Sequence, residues 1–476
     1  MEICTFWYSI SSIVYDVKKS IILHSERRIN HLATFTKYDD SGSMLSFTGT
    51  ALVIPPLQTI EIQMCTICEE WGIKYLNLGA IDVNSIADHI AAEKPFILIS
   101  SIEKINNPEV QKQLFNLKLD YIAIDEAQVL DPETGWTEFR PYSAETWAFL
   151  RARFRCPFLL LSATMEEESL TRIARNLDLP REKIKVLYTN PDRGNIYHQR
   201  RILKEPVDVM NIQKNLGFIV PAIMDVNFKK CQLFCSTRHS TDIICAWLKT
   251  QLEKMRYHIP HSIMVEKLTG NNTRDEKERV MESFKSGLCQ VLVCTDVAGM
   301  GIDVKELTFS VNIGIPKNAW KMKQQSGRLG RNGEQAVDIT LIFPQKGSAA
   351  PEASLRKAMK GNSCIRSALN TLFVLANPLV DYTTDIVKKD CVAAGCELSE
   401  MCICSLCKCC TVCTDECICV KSSKDQNIIF KSLLGFGDEN FSLAEEILRS
   451  EASEDTSEDE SDEGDIENML VGRADM

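Results

Sequence analysis

The sequence lacks an apolar run of 18 or more residues, the length that a membrane-spanning helix needs, so we expect no membrane association. The apolar stretch 4–14 has no basic residue before it and no small-residue cleavage site after it, which argues against a secretory signal. No repeat at a fixed period is evident, which argues against solenoids and propellers. Its 476 residues are 45% hydrophobic and 25% charged, as expected for a globular protein of two or three domains.

Basic residues are absent from the stretch 451–470, which carries ten carboxylates. Without those carboxylates the net charge of −11 would be close to zero, so the rest of the chain is near neutral and has room for local basic surfaces. The stretch is also Ser-rich and almost without apolar side chains. We therefore expect residues 421–476 to form an acidic, largely disordered tail, with contacts to basic protein partners as the alternative to simple solvation.

Cysteine is unevenly distributed: of 20 residues, eleven fall within 364–419. The scattered remainder is typical of buried apolar thiols. Within the cluster, Cys-x-x-Cys spacing lets two thiolates converge on one tetrahedral Zn²⁺ at about 2.3 Å. A reducing, intracellular setting, which we expect here, favours metal over disulfides. The spacing therefore predicts bound Zn²⁺, and a redox-labile or disulfide-linked tail is the alternative.

Short apolar runs alternate with longer polar and apolar stretches between about residues 50 and 345. This alternation is typical of parallel strands that helices cover on both faces. A break rich in turn residues at 190–206 separates two groups of runs. We therefore predict an α/β protein with two parallel sheets, whose strands include 51–54, 96–100, 121–124, 158–161, 232–235, 291–294, 309–313 and 339–343.

The sharpest chemical signal is the pair Asp125 and Glu126, which follows an apolar strand. A strand that ends in two acids places both carboxylates at the carboxyl edge of a parallel sheet, where such sheets bind ligands. There Asp125 can hold Mg²⁺ through water, while Glu126 orients and deprotonates an attacking water, as phosphoryl transfer requires. A strand end that simply meets solvent is the alternative for an isolated pair.

Two further motifs strengthen this interpretation. Ser162-Ala163-Thr164 ends another apolar strand with two hydroxyl groups that can hydrogen-bond the acidic motif. Arg328 and Arg331 lie three residues apart between glycines, so on a helix start they project to one side. From that position they can reach a γ-phosphate across a cleft.

In this order the motifs resemble the superfamily 2 helicases, and the RecQ family within them. Asp125-Glu126-Ala127-Gln128 stands at the DEAH-type box of that family, and Ser162-Ala163-Thr164 at its motif III. The segment 135–141, Gly-Trp-Thr-Glu-Phe-Arg-Pro, looks like the RecQ aromatic-rich loop, although its aromatic residues could also be ordinary core residues. Further similarities fall at 51–57 (motif Ia), 193–195, 233–238 (motif IV), 268–270, 294–303 (motif V) and 324–333 (motif VI).

The resemblance implies two tandem RecA-like parallel-sheet domains, 1–195 and 196–345, followed by a small Cys-rich zinc-binding subdomain at 346–420 and the acidic tail. It implies an ATP-dependent DNA helicase that moves 3′ to 5′, requires ATP and Mg²⁺, and binds single-stranded or forked DNA. It also implies a nuclear role in DNA repair and recombination, with a cytoplasmic location as the alternative.

The resemblance also assigns roles to individual residues. The implied catalytic residues are Asp125, Glu126, Arg328 and Arg331, and the implied nucleotide contacts are Gln128, Thr164, Gly301, Asp303 and Gln324. The implied DNA contacts are Trp136, Phe139, Arg140, Thr269 and Thr295. The implied Zn²⁺ ligands are Cys364, Cys407, Cys410 and Cys413. Replacement of one ligand by Cys391, Cys396 or Cys402, or the binding of a second metal, stays open as the alternative.

One part of the pattern is missing. A P-loop needs a Gly-rich backbone and a Lys followed by Ser or Thr to hold the phosphates, and no such element precedes residue 51; the segment around Lys37 has neither the glycines nor the hydroxyl. We therefore expect the first domain to lack its opening strand and loop. Because losing one stabilising donor alone costs ~10²–10³ in rate, a helicase-like nucleic-acid-binding scaffold that does not hydrolyse ATP is the alternative.

Overall fold

The computed structural model describes residues 21–24, 37–38, 44–45, 50–56, 58–70, 72–133, 143–180, 184–188, 191–225, 227–255, 263–295, 304–347, 350–376, 380–381, 409–416 and 434. The strands are β1 (Ile21–His24), β2 (Lys37–Tyr38), β3 (Met44–Leu45), β4 (Thr50–Ile54), β5 (Tyr75–Asn77), β6 (Ile97–Ile99), β7 (Leu119–Ile124), β8 (Phe158–Ser162), β9 (Lys185–Tyr188), β10 (Ile196–Ile202), β11 (Lys230–Cys235), β12 (Val265–Leu268), β13 (Val291–Cys294), β14 (Leu307–Ile313), β15 (Ala336–Ile342) and β16 (Val380–Asp381). 

The helices are α1 (Gln58–Glu70), α2 (Ile86–Glu93), α3 (Ile102–Ile105), α4 (Pro108–Leu114), α5 (Ser143–Arg153), α6 (Glu167–Asn176), α7 (Ile212–Leu216), α8 (Ile219–Met224), α9 (Arg238–Lys254), α10 (Arg274–Ser286), α11 (Ala319–Ser326), α12 (Ala353–Lys360), α13 (Ile365–Thr371) and α14 (Thr411–Glu416). Short 3₁₀ turns occupy Leu78–Ala80, Val83–Ser85 and Ala127–Leu130. No helix within these described ranges is long and apolar enough to cross a membrane.

The first lobe is a parallel sheet in the order β16-β9-β1-β8-β7-β4-β6-β5. Its central strands have uninterrupted apolar runs because helices cover both faces; all five residues of β8 are buried. One face packs in a large core with Trp147 and Leu170 of the flanking helices, and the other packs against α1 through Ile60 and Met64. The predicted strands at 51–54, 96–100, 121–124 and 158–161 are confirmed.

Strand β1 corrects one expectation from the sequence. We expected the first lobe to lack its opening strand, but Ile21–His24 lies in the middle of the sheet, parallel to β8 on one side and to β9 on the other. The expectation was wrong because this strand is only four residues long and no Gly-rich loop follows it to mark its end. The residues that follow His24 directly lie outside the described ranges.

The second lobe repeats the architecture with a six-stranded sheet in the order β10-β15-β14-β11-β13-β12, again with parallel neighbours. The four strands predicted here are confirmed. Sequence inspection missed β10, because its Tyr-His-Gln-Arg-Arg run is polar although its first four residues are buried. Helix α10 begins with a capping box between Thr273 and Glu276. It ends at Ser286 and is capped by Gly287, whose φ of 85° suits a residue without a Cβ.

A small helical and Cys-containing unit follows the second sheet. Helices α12 and α13 pack with Trp320 and Met322 of α11 and with Cys410 and Cys413 in one apolar cluster. The cysteine segment extends the unit onto strand β10, because the His198 amide donates to the Cys409 carbonyl at 3.2 Å. The unit is therefore docked on the outer strand of the second sheet. The acidic tail predicted at 421–476 lies outside the described residues, apart from Leu434.

Candidate active site

The acid pair lies where strand β7 ends. Asp125 and Glu126 are each 3% exposed, and Asp125 Oδ1 accepts a hydrogen bond from the Glu126 amide at 2.9 Å. Glu126 adopts the left-handed conformation, with φ of 51°, which is uncommon for a residue with a side chain and turns the chain sharply after the strand. Two carboxylates thus meet at the carboxyl edge of the sheet, and their hard oxygen atoms fit Mg²⁺.

A chain of hydrogen bonds joins the acid pair to the end of strand β8. Gln128 Nε2 donates to Glu126 Oε2 at 2.6 Å, and Ser162 Oγ donates to Gln128 Oε1 at 2.6 Å. The Thr164 amide in turn donates to Ser162 Oγ at 3.1 Å. All of these side chains are buried, so solvent does not compete with the chain. The structure therefore links the two motifs that the sequence placed at neighbouring strand ends.

The second lobe reaches the acid pair through helix α11. Gln324 Nε2 donates to Glu126 Oε2 at 3.1 Å, so one carboxylate oxygen is shared between a donor from each lobe. Arg328 follows one helical turn later and is 4% exposed, whereas Arg331 is exposed. Both arginines lie in the turn that follows the end of α11, so the expectation that they stand at a helix start was wrong, and the helical spacing that would project them to one side does not apply.

That turn is held by the chain segment that connects the lobes. Arg193 donates from Nη1 to the Gly327 carbonyl at 2.8 Å and from Nη2 to the Gly330 carbonyl at 2.7 Å. Asn195 Nδ2 donates to the Gly330 carbonyl at 2.8 Å as well. These contacts could not be predicted from the sequence, because their acceptors are backbone carbonyls more than a hundred residues away.

Two of the predicted nucleic-acid contacts lie side by side on the second lobe. Thr269 and Thr295 directly follow the paired strands β12 and β13, and the Thr295 amide donates to the Leu268 carbonyl at 3.1 Å. Thr269 is fixed by Asn272, whose Oδ1 accepts from the Thr269 amide at 2.8 Å. Trp136, Phe139, Arg140, Gly301 and Asp303 lie outside the described residues, so their predicted roles stay predictions.

The corresponding edge of the first lobe holds polar residues that sequence inspection missed. Asn77 is the last residue of the short strand β5, and its Oδ1 accepts from the Gly79 amide at 2.7 Å. Glu61 of α1 is buried beside this turn, and burial raises the pKa of its carboxyl group. A Cβ at Gly79 would come within 2.5 Å of Glu61 Oε1 and 3.0 Å of Asn77 Oδ1, so these two side chains would have to shift to admit it. The signal available in the sequence was a small polar residue, Asn77, at the end of a short strand.

Four cysteines converge beside strand β10. The sulfur atoms of Cys364, Cys409, Cys410 and Cys413 all lie within 4.8 Å of one another, and Cys364 Sγ is 3.4 Å from Cys409 Sγ. Hydrogen bonds from the three other thiols lower the pKa of Cys364, which favours a thiolate. Every cysteine in the described ranges is a free thiol. Four convergent sulfur atoms fit a tetrahedral Zn²⁺ site, whose sulfur–sulfur edges are about 3.8 Å.

Three of the four predicted metal ligands, Cys364, Cys410 and Cys413, belong to this group. Cys407 lies outside the described residues, and Cys409 is the fourth member. The adjacent pair Cys409 and Cys410 does not follow the Cys-x-x-Cys spacing on which the sequence analysis relied. Only the packing of the segment on β10 brings both sulfur atoms to the same side.

The architecture defines a class: two RecA-like lobes in tandem. Residues 218–333 match the family model "Helicase conserved C-terminal domain". The chain is 30% identical over 305 residues to the "ATP-dependent RNA helicase FAL1" of Candida glabrata, with 61% of this chain and 69% of that protein covered. It is 26% identical over 310 residues to the "ATP-dependent DNA helicase RecQ" of Bacillus subtilis, covering 63% of this chain and 48% of that protein. The chain belongs to the superfamily 2 helicases.

Solved structures agree on the fold. The structure of Saccharomyces cerevisiae Dbp5 bound to RNA and ADP BeF3 matches with a TM-score of 0.51 and 16% identity, covering 77% of this chain and 86% of that chain. The helicase MrfA bound to DNA matches with a TM-score of 0.52 and 18% identity, covering 71% of this chain and 48% of that chain. This chain spans about half the length of the Bacillus RecQ helicase. In sequence and in structure, DNA and RNA helicases match this chain about equally well.

Proposed function

We propose that the chain is an ATP-dependent DNA helicase of the RecQ type that moves 3′ to 5′ along a single strand. The observation that carries the proposal is the contact between Gln324 Nε2 and Glu126 Oε2 at 3.1 Å. It joins the acidic strand end of the first lobe to the helix of the second lobe that precedes the turn with the two arginines, and an ATP bound between the lobes would contact both. The cysteine unit docked after the second lobe favours the RecQ type over the RNA helicases.

The residues divide the work as phosphoryl transfer requires. Asp125 would hold Mg²⁺, which when bound would neutralise charge on the phosphates. Glu126 orients and deprotonates the attacking water, and Gln128 fixes its carboxylate. Arg328 and Arg331 stabilise the charge that develops on the γ-phosphate. Hydrolysis detaches the γ-phosphate, whose contacts with both lobes draw them together, so the lobes then separate.

Movement on DNA follows from that opening and closing. Thr269 and Thr295 contact the phosphate backbone from the second lobe, and Trp136, Phe139 and Arg140 stack on and contact bases from the first. Because the two lobes hold different nucleotides of one strand, each closure shifts the strand by a step. We place this activity in the nucleus, and we propose that the acidic tail contacts basic protein partners.

A second candidate is a helicase-like scaffold that binds nucleic acid without hydrolysing ATP. One observation favours it: after strand β1 the sequence continues Ser25-Glu26-Arg27-Arg28, with no glycine and no Lys-Ser or Lys-Thr pair. Strand β1 lies beside β8, where a loop at its end would face the acid pair. Without a P-loop at this position, the chain loses backbone donors that would hold the phosphates.

An ATPase measurement separates the two candidates. We expect single-stranded DNA to stimulate ATP hydrolysis, and Glu126→Gln to lower the rate by ~10²–10⁴, because the substituted amide cannot take the proton from water. Glu282→Gln, a change on the exposed face of α10, serves as the matched control and keeps the rate. The same samples are then assayed with duplexes that carry a 3′ or a 5′ single-stranded extension.

The outcomes differ for each candidate. Unwinding of the 3′-extended duplex alone supports the RecQ type. Stimulation by single-stranded RNA but not DNA contradicts it. Absence of ATPase activity in a preparation that still binds DNA supports the scaffold.

A further inference from the structure

The segment 191–195 connects the lobes and is attached to the turn that carries the two arginines. Arg193 donates to the Gly327 and Gly330 carbonyls, and Asn195 donates to the Gly330 and Glu334 carbonyls, all within 2.8 Å. The Ala336 amide donates to the Asn195 carbonyl at 2.9 Å. A shift of this connecting segment must therefore move the turn from Gly327 to Glu334.

A second arginine, which lies far later in the sequence, contacts the same segment. Arg366 of α13 is 8% exposed, and its Nη2 donates to the Gly194 carbonyl at 3.1 Å and to the Ile196 carbonyl at 2.5 Å. Its Nε lies 3.8 Å from Asp192 Oδ1. A buried guanidinium with this many contacts to one short segment fixes the path of that segment, because a planar group with donors at fixed angles selects one arrangement of carbonyls.

Arg366 is itself positioned by the cysteine group. It lies in the first turn of α13, a helix of seven residues whose N-cap is Cys364. The Ser367 amide donates to Cys364 Sγ at 3.5 Å, and the Ile365 amide donates to Cys410 Sγ at 3.3 Å. The sulfur atoms thus fix the first turn of α13, and with it the origin of the Arg366 side chain.

We propose that Arg366 is a positioning residue that couples the four-cysteine group to the connecting segment, and through Arg193 and Asn195 to the turn that bears Arg328 and Arg331. The cysteine unit then does more than stabilise its own surroundings: it sets where the arginines stand relative to the acid pair of the other lobe. The inference concerns the placement of the turn and holds whether or not the chain hydrolyses ATP.

Hydrogen exchange of backbone amides tests the coupling in the full chain. Arg366→Met keeps an unbranched apolar stem and removes every donor. We expect exchange in peptides that cover 191–197 and 327–336 to become at least about tenfold faster, because the Ile196 and Ala336 amides donate to carbonyls of the connecting segment, Arg193 and Asn195, whose positions are then no longer fixed. Arg366→Lys, which keeps the charge and one donor group, should give an intermediate rate. Arg356→Met, on the exposed face of α12, is the matched control and should change neither region.

A purely local structural role predicts a different pattern. In that case Arg366→Met would accelerate exchange in 365–371 and 411–416 and leave 191–197 and 327–336 at the wild-type rate, and the proposal would be overturned. It would equally be overturned if exchange rose uniformly through β11 and β13, because that pattern reports unfolding of the second lobe. Faster exchange confined to the connecting segment and the arginine turn supports it.

Discussion

Gly330 shows how strongly a single position in the arginine turn is constrained. Its φ is 52°, and a Cβ there would collide with the Glu334 carbonyl oxygen and with the Asn195 amide group. Gly333, three residues later, has φ of 89°, but a Cβ at that position would meet nothing within 4 Å. The two glycines therefore share a left-handed backbone and differ in the space around them.

This pair supports a prediction at the residue scale. Both Gly330→Ala and Gly333→Ala force a side chain into a left-handed conformation, at a cost of about 1 kcal/mol. Gly330→Ala adds the collision with fixed backbone, so we expect it to lower the free energy of unfolding by about 2–4 kcal/mol more than Gly333→Ala does. Urea denaturation of the two variants measures the difference. Equal loss of stability in both would show that the turn relaxes freely around residue 330.

The same scale shows why some site residues were predictable and others were not. Asp125, Glu126 and Gln128 are adjacent along the chain, so their joint position at a strand end followed from the strand alone. Arg193 and Arg366 act on backbone carbonyls, which carry no sequence signal. Their roles became visible only when the chain brought residues 193, 330 and 366 together.

At the scale of the secondary-structure element, the cysteine segment shows how short helices depend on the packing around them. Helices α13 and α14 have seven and six residues, too short to be stable alone in water, so they depend on the packing of the segment against β10 and on contacts among the sulfur atoms. Tyr197 Oη lies 3.1 Å from Thr414 Oγ1, and the Arg200 amide donates to Thr411 Oγ1 at 3.0 Å. A bound metal would close this element by tying its two distant parts together.

Measuring the metal content of the purified chain tests whether the four cysteines bind Zn²⁺. We expect the purified chain to hold about one Zn²⁺, since four thiolates complete one tetrahedral site. Cys409→Ser should lower the bound Zn²⁺ and the thermal midpoint, whereas Cys65→Ser, at a half-buried thiol of α1, should change neither the metal content nor exchange in 365–371. Stripping Zn²⁺ with a chelator should reproduce the Cys409→Ser result. If instead Cys407→Ser lowers the metal content and Cys409→Ser does not, Cys407 is the fourth ligand.

At the scale of the whole molecule, the first lobe meets the unit that follows the second lobe. The Ala376 amide donates to Glu167 Oε2 at 2.8 Å, close to the start of α6. Glu166 lies at the N-cap of α6, and Glu352 at the N-cap of α12. Burial, together with the nearby carboxylates of Glu352 and Asp131, raises the pKa of Glu166 to about 8, against the partial compensation of Arg172.

This raised pKa predicts a pH dependence of stability. The unfolded chain releases the Glu166 proton near pH 4.5, whereas the folded chain retains it up to about pH 8. Between these values the folded state binds more protons, so the free energy of unfolding falls as pH rises through the window. Glu166→Gln stays neutral and should make the decline shallower, with the remainder due in part to Glu352, whose pKa is also raised by burial.

Thermal midpoints measured between about pH 5 and about pH 8 check this expectation. Glu282→Gln is the matched control, because Glu282 lies on the exposed face of α10 and is not among the carboxylates that raise the pKa of Glu166. The control should decline like the wild type. A wild-type midpoint that is independent of pH across this range, or a Glu166→Gln variant that declines as steeply, would contradict the role of Glu166.

The sequence by itself determined the α/β class, two parallel sheets, the acid pair at a strand end and the presence of a cysteine-rich unit. These features are local, because they depend on apolar runs, turn residues and spacings within a few residues. The tertiary structure alone decided that β1 lies between β8 and β9, that Gln324 shares the Glu126 carboxylate, and that Cys409 joins Cys364. Each of those contacts joins residues that are 45 or more positions apart, and no local preference encodes which distant partner a folded chain brings into reach.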